Sequence, residues 1–178
     1  MVVLDDFSTG KNENLNAVAH VSDLQIIEGS ILDRELAAKT LKDVDVVFHQ
    51  AAIVSVVRSI ENPIAVDQVK AGGTLNLLDE SRKARVNWFV YASSIGVYGD
   101  VKELPIKESF PLLPTNPYAA SKAASEQYCM AFNRSYGLSV VCLRYTNVYG
   151  PRMSGGPYGG VITKFAERLQ ANQPPRHT

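Results

Sequence analysis

Short apolar runs alternate with longer, mixed stretches along the whole chain. Met1-Val2-Val3-Leu4, Leu24-Gln25-Ile26-Ile27, Val44-Asp45-Val46-Val47-Phe48, Trp88-Phe89-Val90-Tyr91-Ala92 and Leu138-Ser139-Val140-Val141-Cys142-Leu143 are each four to six residues long, rich in apolar residues, and followed by polar or small residues. That pattern predicts five strands, of which those at Trp88 and Leu138 read as buried. Between them lie helix signals. Asp33 caps a helix running to about Leu41, and Asn62-Pro63 opens a long helical stretch to about Ala84. Asn116-Pro117 opens an Ala-rich helix that runs through Asn133, and a last helix starts near Val161. Asn before Pro is a strong start signal: the Asn side chain caps, and proline suits the first helical position. Gly72-Gly73 interrupts the second helix at ~1 kcal/mol each relative to Ala, which predicts close packing on the sheet. Strands alternating with helices predict an α/β fold, a doubly wound parallel sheet.

The 178 residues suffice for one domain with a core. Formal net charge is zero and the charges are mixed, which points away from nucleic acid and acidic membranes as partners. No apolar run approaches the ~20 residues of a membrane span, and the first residues lack the layout of a signal peptide. Cys129 and Cys142 fall in a helix and a strand and read as small core residues in a reducing, cytoplasmic compartment. His20, His49 and His177 lack ligand spacing, so no metal site is expected, and His49 reads as a packed strand residue.

Candidate chemistry gathers around Asn116-Pro117-Tyr118-Ala119-Ala120-Ser121-Lys122. Tyr118 and Lys122, four apart on a helix, project from one face. A lysine ammonium one turn away is expected to lower the tyrosine pKa from ~10, giving an acid/base for a substrate hydroxyl near neutral pH. Such a pair is common on helices; Ser94 adds weight, because it stands where a buried strand runs out at the sheet rim. Asp5 ends the first strand before Ser8-Thr9-Gly10. A carboxylate there accepts from both adenosine ribose hydroxyls and repels a 2′-phosphate, favouring NAD over NADP, although an ordinary polar strand end is the simpler reading of Asp5 alone. Ala51 and Ala52 would let the backbone approach a cofactor closely.

Three segments together carry a resemblance: Ser93-Ser94-Ile95-Gly96-Val97-Tyr98-Gly99, the Tyr118-to-Lys122 spacing, and Leu143-Arg144-Tyr145-Thr146-Asn147-Val148-Tyr149-Gly150-Pro151-Arg152. The chain resembles the extended short-chain dehydrogenase/reductase family over nearly all its length. Within it, the chain is most similar to the NAD-dependent nucleotide-sugar epimerases, of the UDP-glucose or UDP-N-acetylglucosamine 4-epimerase type. The resemblance implies a Rossmann-like fold, with NAD as cofactor and a UDP-sugar as substrate. It implies Ser94, Tyr118 and Lys122 as catalytic residues. Cofactor positions would be Asp5, Ser8, Thr9, Gly10, Ser30, Ile31, Gln50, Ala51, Ala52, Tyr118 and Lys122. Substrate positions would be Ser55, Val56, Ser94, Tyr118, Asn147 and Val161, with the Gly-rich loop 154–160 covering the nucleotide. In the implied mechanism Tyr118 phenolate takes the sugar 4-hydroxyl proton while hydride leaves C4 for the nicotinamide and later returns to the other face. Helices around 63–84 and 117–134 match those that pair in family homodimers.

The chain departs from the pattern in places. The family usually has Asp at Ser30 and Asn at Lys70, and some epimerases carry Lys at Val54. Dehydratases and decarboxylases of the family, the alternative enzymes, carry an acidic residue after the strand-end Ser or Thr, where Ile95 and Gly96 stand here. No Gly-x-x-Gly-x-x-Gly turn precedes Asp5, and the chain stops soon after Pro174-Pro175, where relatives enter a substrate domain. The expectation is one partial NAD-binding domain over 1–178, without the first strand–Gly-rich turn–helix or the C-terminal substrate domain, binding NAD weakly. A non-catalytic dimerisation or regulatory module is the alternative of another class.

Overall fold

The computed structural model describes residues 1–153 and 161–175. Residues 1–144 form one compact unit and residues 145–178 a second, smaller one. The Gly-rich loop 154–160, His177 and Thr178 lie outside the described residues.

In the first unit the order is β1 (Val2–Asp5), β2 (Gln25–Glu28), α1 (Arg34–Thr40), β3 (Val46–His49), α2 (Val56–Glu61), α3 (Pro63–Asp67), α4 (Gly73–Ala84), β4 (Trp88–Ser94), α5 (Pro117–Tyr136) and β5 (Ser139–Tyr145). Short 3₁₀ turns span Asn12–Val18 and Ile95–Tyr98. β1 and β2 pair in parallel, Val2 opposite Gln25; β3 and β4 pair in parallel, Val46 opposite Trp88, and β5 is the other neighbour of β4. The parallel βαβ arrangement is that of a Rossmann-like α/β fold. In the second unit α6 spans Val161–Gln170. No helix among the described residues is long and apolar enough to cross a membrane.

The main core gathers Ile31, Leu41, Leu77, Leu78, Val86, Phe89, Tyr91, Cys129, Phe132 and Leu138 from α1, α4, β4 and α5 and their flanking turns. Each large apolar side chain buried there contributes ~1.5–3 kcal/mol. Cys129 is buried and Cys142 half-buried, both as free thiols. A smaller cluster, Val97, Tyr98 and Ala123 with Ile106, Phe110 and Leu112, folds the proline-rich connection back onto α5. Gly99 makes that return: its φ is +68°, and a Cβ there would stand 2.0 Å from the Leu113 carbonyl oxygen.

Three expectations need correction. β5 is not a buried strand: none of its residues is buried, and Val141 and Leu143 are exposed. A continuous apolar run implies cover on both faces, which β5 lacks among the described residues. The helix expected from Pro63 to Ala84 is divided by a π segment, Gln68–Gly72. There the Lys70 carbonyl accepts from the Thr74 and Ser125 hydroxyls, and side-chain donors of this kind widen the backbone ladder. The glycine pair is also split in role. A Cβ on Gly73 would meet the Ile31 side chain at 2.4 Å, whereas one on Gly72 meets nothing within 4 Å. The close approach is to the turn after β2 rather than to a strand.

Candidate active site

Local sequence sets the Tyr118 turn. The Asn116 side chain accepts from Ala119 N–H at 2.9 Å, and Pro117 occupies the first turn. One of the exposed first-turn amides is met from another element: Tyr118 N–H donates to Ser59 Oγ at 3.0 Å, and Ser59, fully buried on α2, donates to the Val56 carbonyl. Ser55 begins that helix as its cap, accepting from Arg58 N–H. Nothing in the local pattern marks Ser59; a lone serine in a short amphipathic helix carries no signal. Its role arises only when α2 meets α5.

Ser94 ends β4 and accepts from Gly96 N–H at 3.2 Å. The fold brings it close to Tyr118, near enough for the Ser94 side chain to act on the Tyr118 hydroxyl. Burial holds the Tyr118 hydroxyl above its ordinary value, and the nearby Ser94 side chain pulls the other way. The expected lowering by Lys122 is therefore absent. Lys122 is buried, and its Nζ donates to the Ala92 carbonyl at 2.6 Å, over the Tyr91 ring at 4.9 Å. Burial pushes this amine down to about 8. Position i+4 puts Lys122 on the right face, but β4 supplies a closer acceptor than Tyr118.

Lys70, in the π segment, lies with Nζ 3.1 Å from the centroid of the Tyr118 ring. His49 is buried with Nε2 2.9 Å from Thr74 Oγ1. Burial, then the Lys122 charge, pushes its imidazole down to about 3, so it is neutral at ordinary pH and packs edge-on against Phe89. A packed strand histidine was expected.

A second buried network supports the α5 face one turn beyond Lys122. Ser93 Oγ donates to Glu126 Oε1, and Arg144 of β5 donates to the same carboxylate through Nε at 3.0 Å and a terminal nitrogen at 2.8 Å. Arg144 also donates to the Tyr98 hydroxyl and the Glu108 carbonyl. One guanidinium thus joins β5, α5 and the 3₁₀ turn after Ser94. The available signal was a charged residue on a small-residue face of α5, at i+4 from Lys122.

At the β1 end, Asp5 Oδ1 accepts from Phe7 N–H at 2.8 Å, while Phe7 turns the chain with φ +50°. A Cβ at Gly10 would lie 3.2 Å from Asp5 Oδ2. The space beside that carboxylate would be filled by any side chain at position 10, so the turn leaves one oxygen open to a ribose. These residues fit NAD. Exposed Ser8 and Thr9 belong to the same turn. Ser30 Oγ accepts from Leu32 N–H, and Ile31 is buried in the core against Gly73. Gln50 and Ala51 are exposed beyond β3, with Ala52 half-buried; Val56 is exposed in the first turn of α2. Asn147 and Val161 are exposed residues of the second unit. Among the described residues no group of three or more His, Cys, Asp or Glu could hold a metal ion.

Residues 1–177 match the model of the NAD dependent epimerase/dehydratase family. A putative UDP-glucose 4-epimerase of Methanocaldococcus jannaschii is 39% identical over 177 residues, which cover 98% of this chain and 56% of that protein. A dTDP-glucose 4,6-dehydratase of Streptomyces niveus is 36% identical over 152 residues, 85% of this chain and 45% of its own length. Among solved structures, a UDP-N-acetylglucosamine 4-epimerase from Methanobrevibacter ruminantium in complex with UDP-N-acetylmuramic acid superposes with a TM-score of 0.92 at 40% identity, over 97% of this chain and 55% of that one. The chain spans about half the length of the curated relatives it matches. With a Rossmann-like frame and a match over nearly every residue, the chain belongs to the NAD dependent epimerase/dehydratase family.

Proposed function

We propose that the protein is a nucleotide-sugar 4-epimerase of the UDP-glucose/UDP-galactose type. The observation that carries this reading is the approach of Ser94 to the Tyr118 hydroxyl where the end of β4 meets the first turn of α5. Tyr118 takes the proton of the sugar 4-hydroxyl as the C4–H bond breaks, and returns it when the ketone is reduced. Ser94 hydrogen-bonds the same sugar oxygen and keeps it in line with the phenol. Lys122 is fixed by the Ala92 carbonyl and would hold the nicotinamide ribose of a bound NAD. NAD supplies the hydride acceptor and then the donor, so no external reductant is used. Asp5, Ser8, Thr9 and Gly10 would hold its adenosine ribose side, and Ser30, Ile31, Gln50, Ala51 and Ala52 the surrounding wall. Ser55 and Val56 would face the UDP-sugar. Ile95 and Gly96 after Ser94 favour epimerisation over dehydration, because a dehydratase needs a further acid there to move a second proton.

The reading includes a cytoplasmic homodimer paired through α3–α4 and α5, supported by exposed Ile64, Tyr128 and Met130 on those helices. The test is conversion of UDP-glucose to UDP-galactose with catalytic NAD, comparing the protein with its Tyr118→Phe form. Loss of a general acid–base group is expected to slow turnover by ~10²–10⁴-fold. A Tyr118→Phe protein with parental turnover would overturn the assignment, and a 4-keto-6-deoxy sugar as product would replace epimerase with dehydratase.

A further inference from the structure

The reaction as read needs Ser94 held against Tyr118, and the contacts on Tyr118 itself do not supply this. Lys70, 1% exposed in the π segment, stands over the Tyr118 ring with no hydrogen-bond partner for its Nζ among the described residues. Ser59 meets the Tyr118 N–H. Neither contact involves the segment that carries Ser94. That segment, 93–98, leaves β4 and turns through the short 3₁₀ stretch Ile95–Tyr98. It lies on the first turn of α5: a Cβ at Gly96 would stand 3.8 Å from the Ala119 Cβ. The bond inside it, from Gly96 N–H to Ser94 Oγ, is local and does not tie the bend to the helix.

Two side chains at its ends do. Ser93 and Tyr98 are each 4% exposed, and both bond to one ion pair. Ser93 Oγ donates to Glu126 Oε1, and the Tyr98 hydroxyl accepts from a terminal nitrogen of Arg144. Glu126, 3% exposed, accepts from Arg144 Nε at 3.0 Å and from the other terminal nitrogen at 2.8 Å. The guanidinium also lies over the Tyr98 ring, 4.7 Å from its centroid. Glu126 stands eight residues beyond Tyr118 on α5, ~12 Å along a stiff helix at ~1.5 Å per residue. Whatever is tied to Glu126 is therefore placed relative to Tyr118. Resting on the reading of Ser94 and Tyr118 as catalytic, we propose that Glu126 and Arg144 are positioning residues for Ser94: their ion pair grips the bend 93–98 at both ends and sets the approach of Ser94 to Tyr118.

The residue types suit that task. A guanidinium presents its donors in a rigid planar fork, so two nitrogens hold the carboxylate while the third reaches another group; an ammonium is a point charge without that geometry. The third nitrogen of Arg144 also donates to the Glu108 carbonyl at 3.1 Å, which ties the proline-rich connection to the same point. Hydrogen bonds to ionised groups are about twice as strong as neutral ones, so each end of the bend is held firmly. A buried ion pair kept for stability alone gains little over an apolar replacement. This one directs its remaining donors and acceptors to the two residues that bracket the Ser94 bend.

Ser93→Ala and Tyr98→Phe each release one end of the bend and keep both members of the ion pair and the Tyr98 ring. Amide hydrogen exchange of the two variants, without substrate or cofactor, reads the bend through Gly96 N–H and through Gly99 N–H, which donates to the Gly96 carbonyl. Both amides are expected to exchange ~5-fold or more faster than in the parent, the equivalent of one lost hydrogen bond, while the amides of residues 123–132 in α5 change less. Unchanged exchange at Gly96 and Gly99 overturns the proposal. So does an equal acceleration along α5, which a general loss of stability would give. In the epimerase assay both variants are expected to lose ~10-fold or more in kcat with KM little changed, because a misplacement of ~1 Å suffices for such a loss. A rise in KM at parental kcat also overturns it. Failure here leaves the role of Tyr118 untouched, whereas parental turnover by Tyr118→Phe removes the reading of the site and not the measured grip on the bend.

Discussion

Replacing Lys70 with Met keeps the buried stem and removes the amine, and its effect on stability must depend on pH. The folded-state value of about 6 lies below the ordinary 10.5. Between the two, the unfolded chain binds more protons than the folded one, so the stability of the protein rises with pH through that window. Relative to the neutral amine, Lys70 costs the fold ~5 kcal/mol at pH ~7 and ~2 kcal/mol at pH ~9, at ~1.4 kcal/mol per pKa unit. These are upper figures, since local rearrangement and water entry relieve part of the cost. Lys122, lowered to about 8, adds a slope of the same sign over the same range. It is present in both proteins and cancels in their difference. Urea unfolding at the two pH values should therefore find Lys70→Met the more stable protein near neutrality, by several kcal/mol, with the gap shrinking by ~2–3 kcal/mol at the higher pH. Parallel pH dependences in the two proteins would refute the burial of an unpaired amine at position 70.

Other substitutions separate the remaining contacts. Glu126→Ala strands the Arg144 guanidinium that it holds at 2.8 Å, and a loss of ~3 kcal/mol, read as a fall of ~6–12 °C in Tm, is expected; a Tm unchanged from the parent would mean that the network is ornamental. Gly72→Ala, with nothing within 4 Å, should stabilise by up to ~1 kcal/mol, while Gly73→Ala must displace Ile31 and should destabilise by ~1–3 kcal/mol. Equal effects in denaturant titrations would contradict the packing of Gly73 on Ile31. Ser59→Ala removes the acceptor for Tyr118 N–H and should cost ~1 kcal/mol while lowering kcat more than it alters KM, because it loosens the first turn of α5. An effect on KM alone would place Ser59 outside the positioning of Tyr118.

What was legible in the sequence was what neighbouring residues decide among themselves. Asn116-Pro117 announced the start of α5, and Asn116 does cap it at Ala119. β4 read as buried from its apolar run, and Phe89, Tyr91 and Ala92 are interior. The Ser94–Tyr118 meeting was recognisable because a strand end and a helix start converge at the rim in this type of fold. Helical spacing failed where an element from elsewhere competed. It placed Lys122 beside Tyr118, yet the ammonium goes to the Ala92 carbonyl of β4, and a favourable i+4 position is no match for a buried acceptor at 2.6 Å. It joined 63–84 into one helix, yet hydroxyls from α4 and α5 draw on the Lys70 carbonyl and a π turn results. Those two departures have one consequence. With Lys122 turned toward β4 and the π turn aiming Lys70 at the Tyr118 ring, the cation nearest the ring face comes from 48 positions upstream rather than from the same helix. A spacing rule confined to α5 finds Lys122 alone, and only the packing of the π segment on α5 reveals the lysine that stands over the Tyr118 ring.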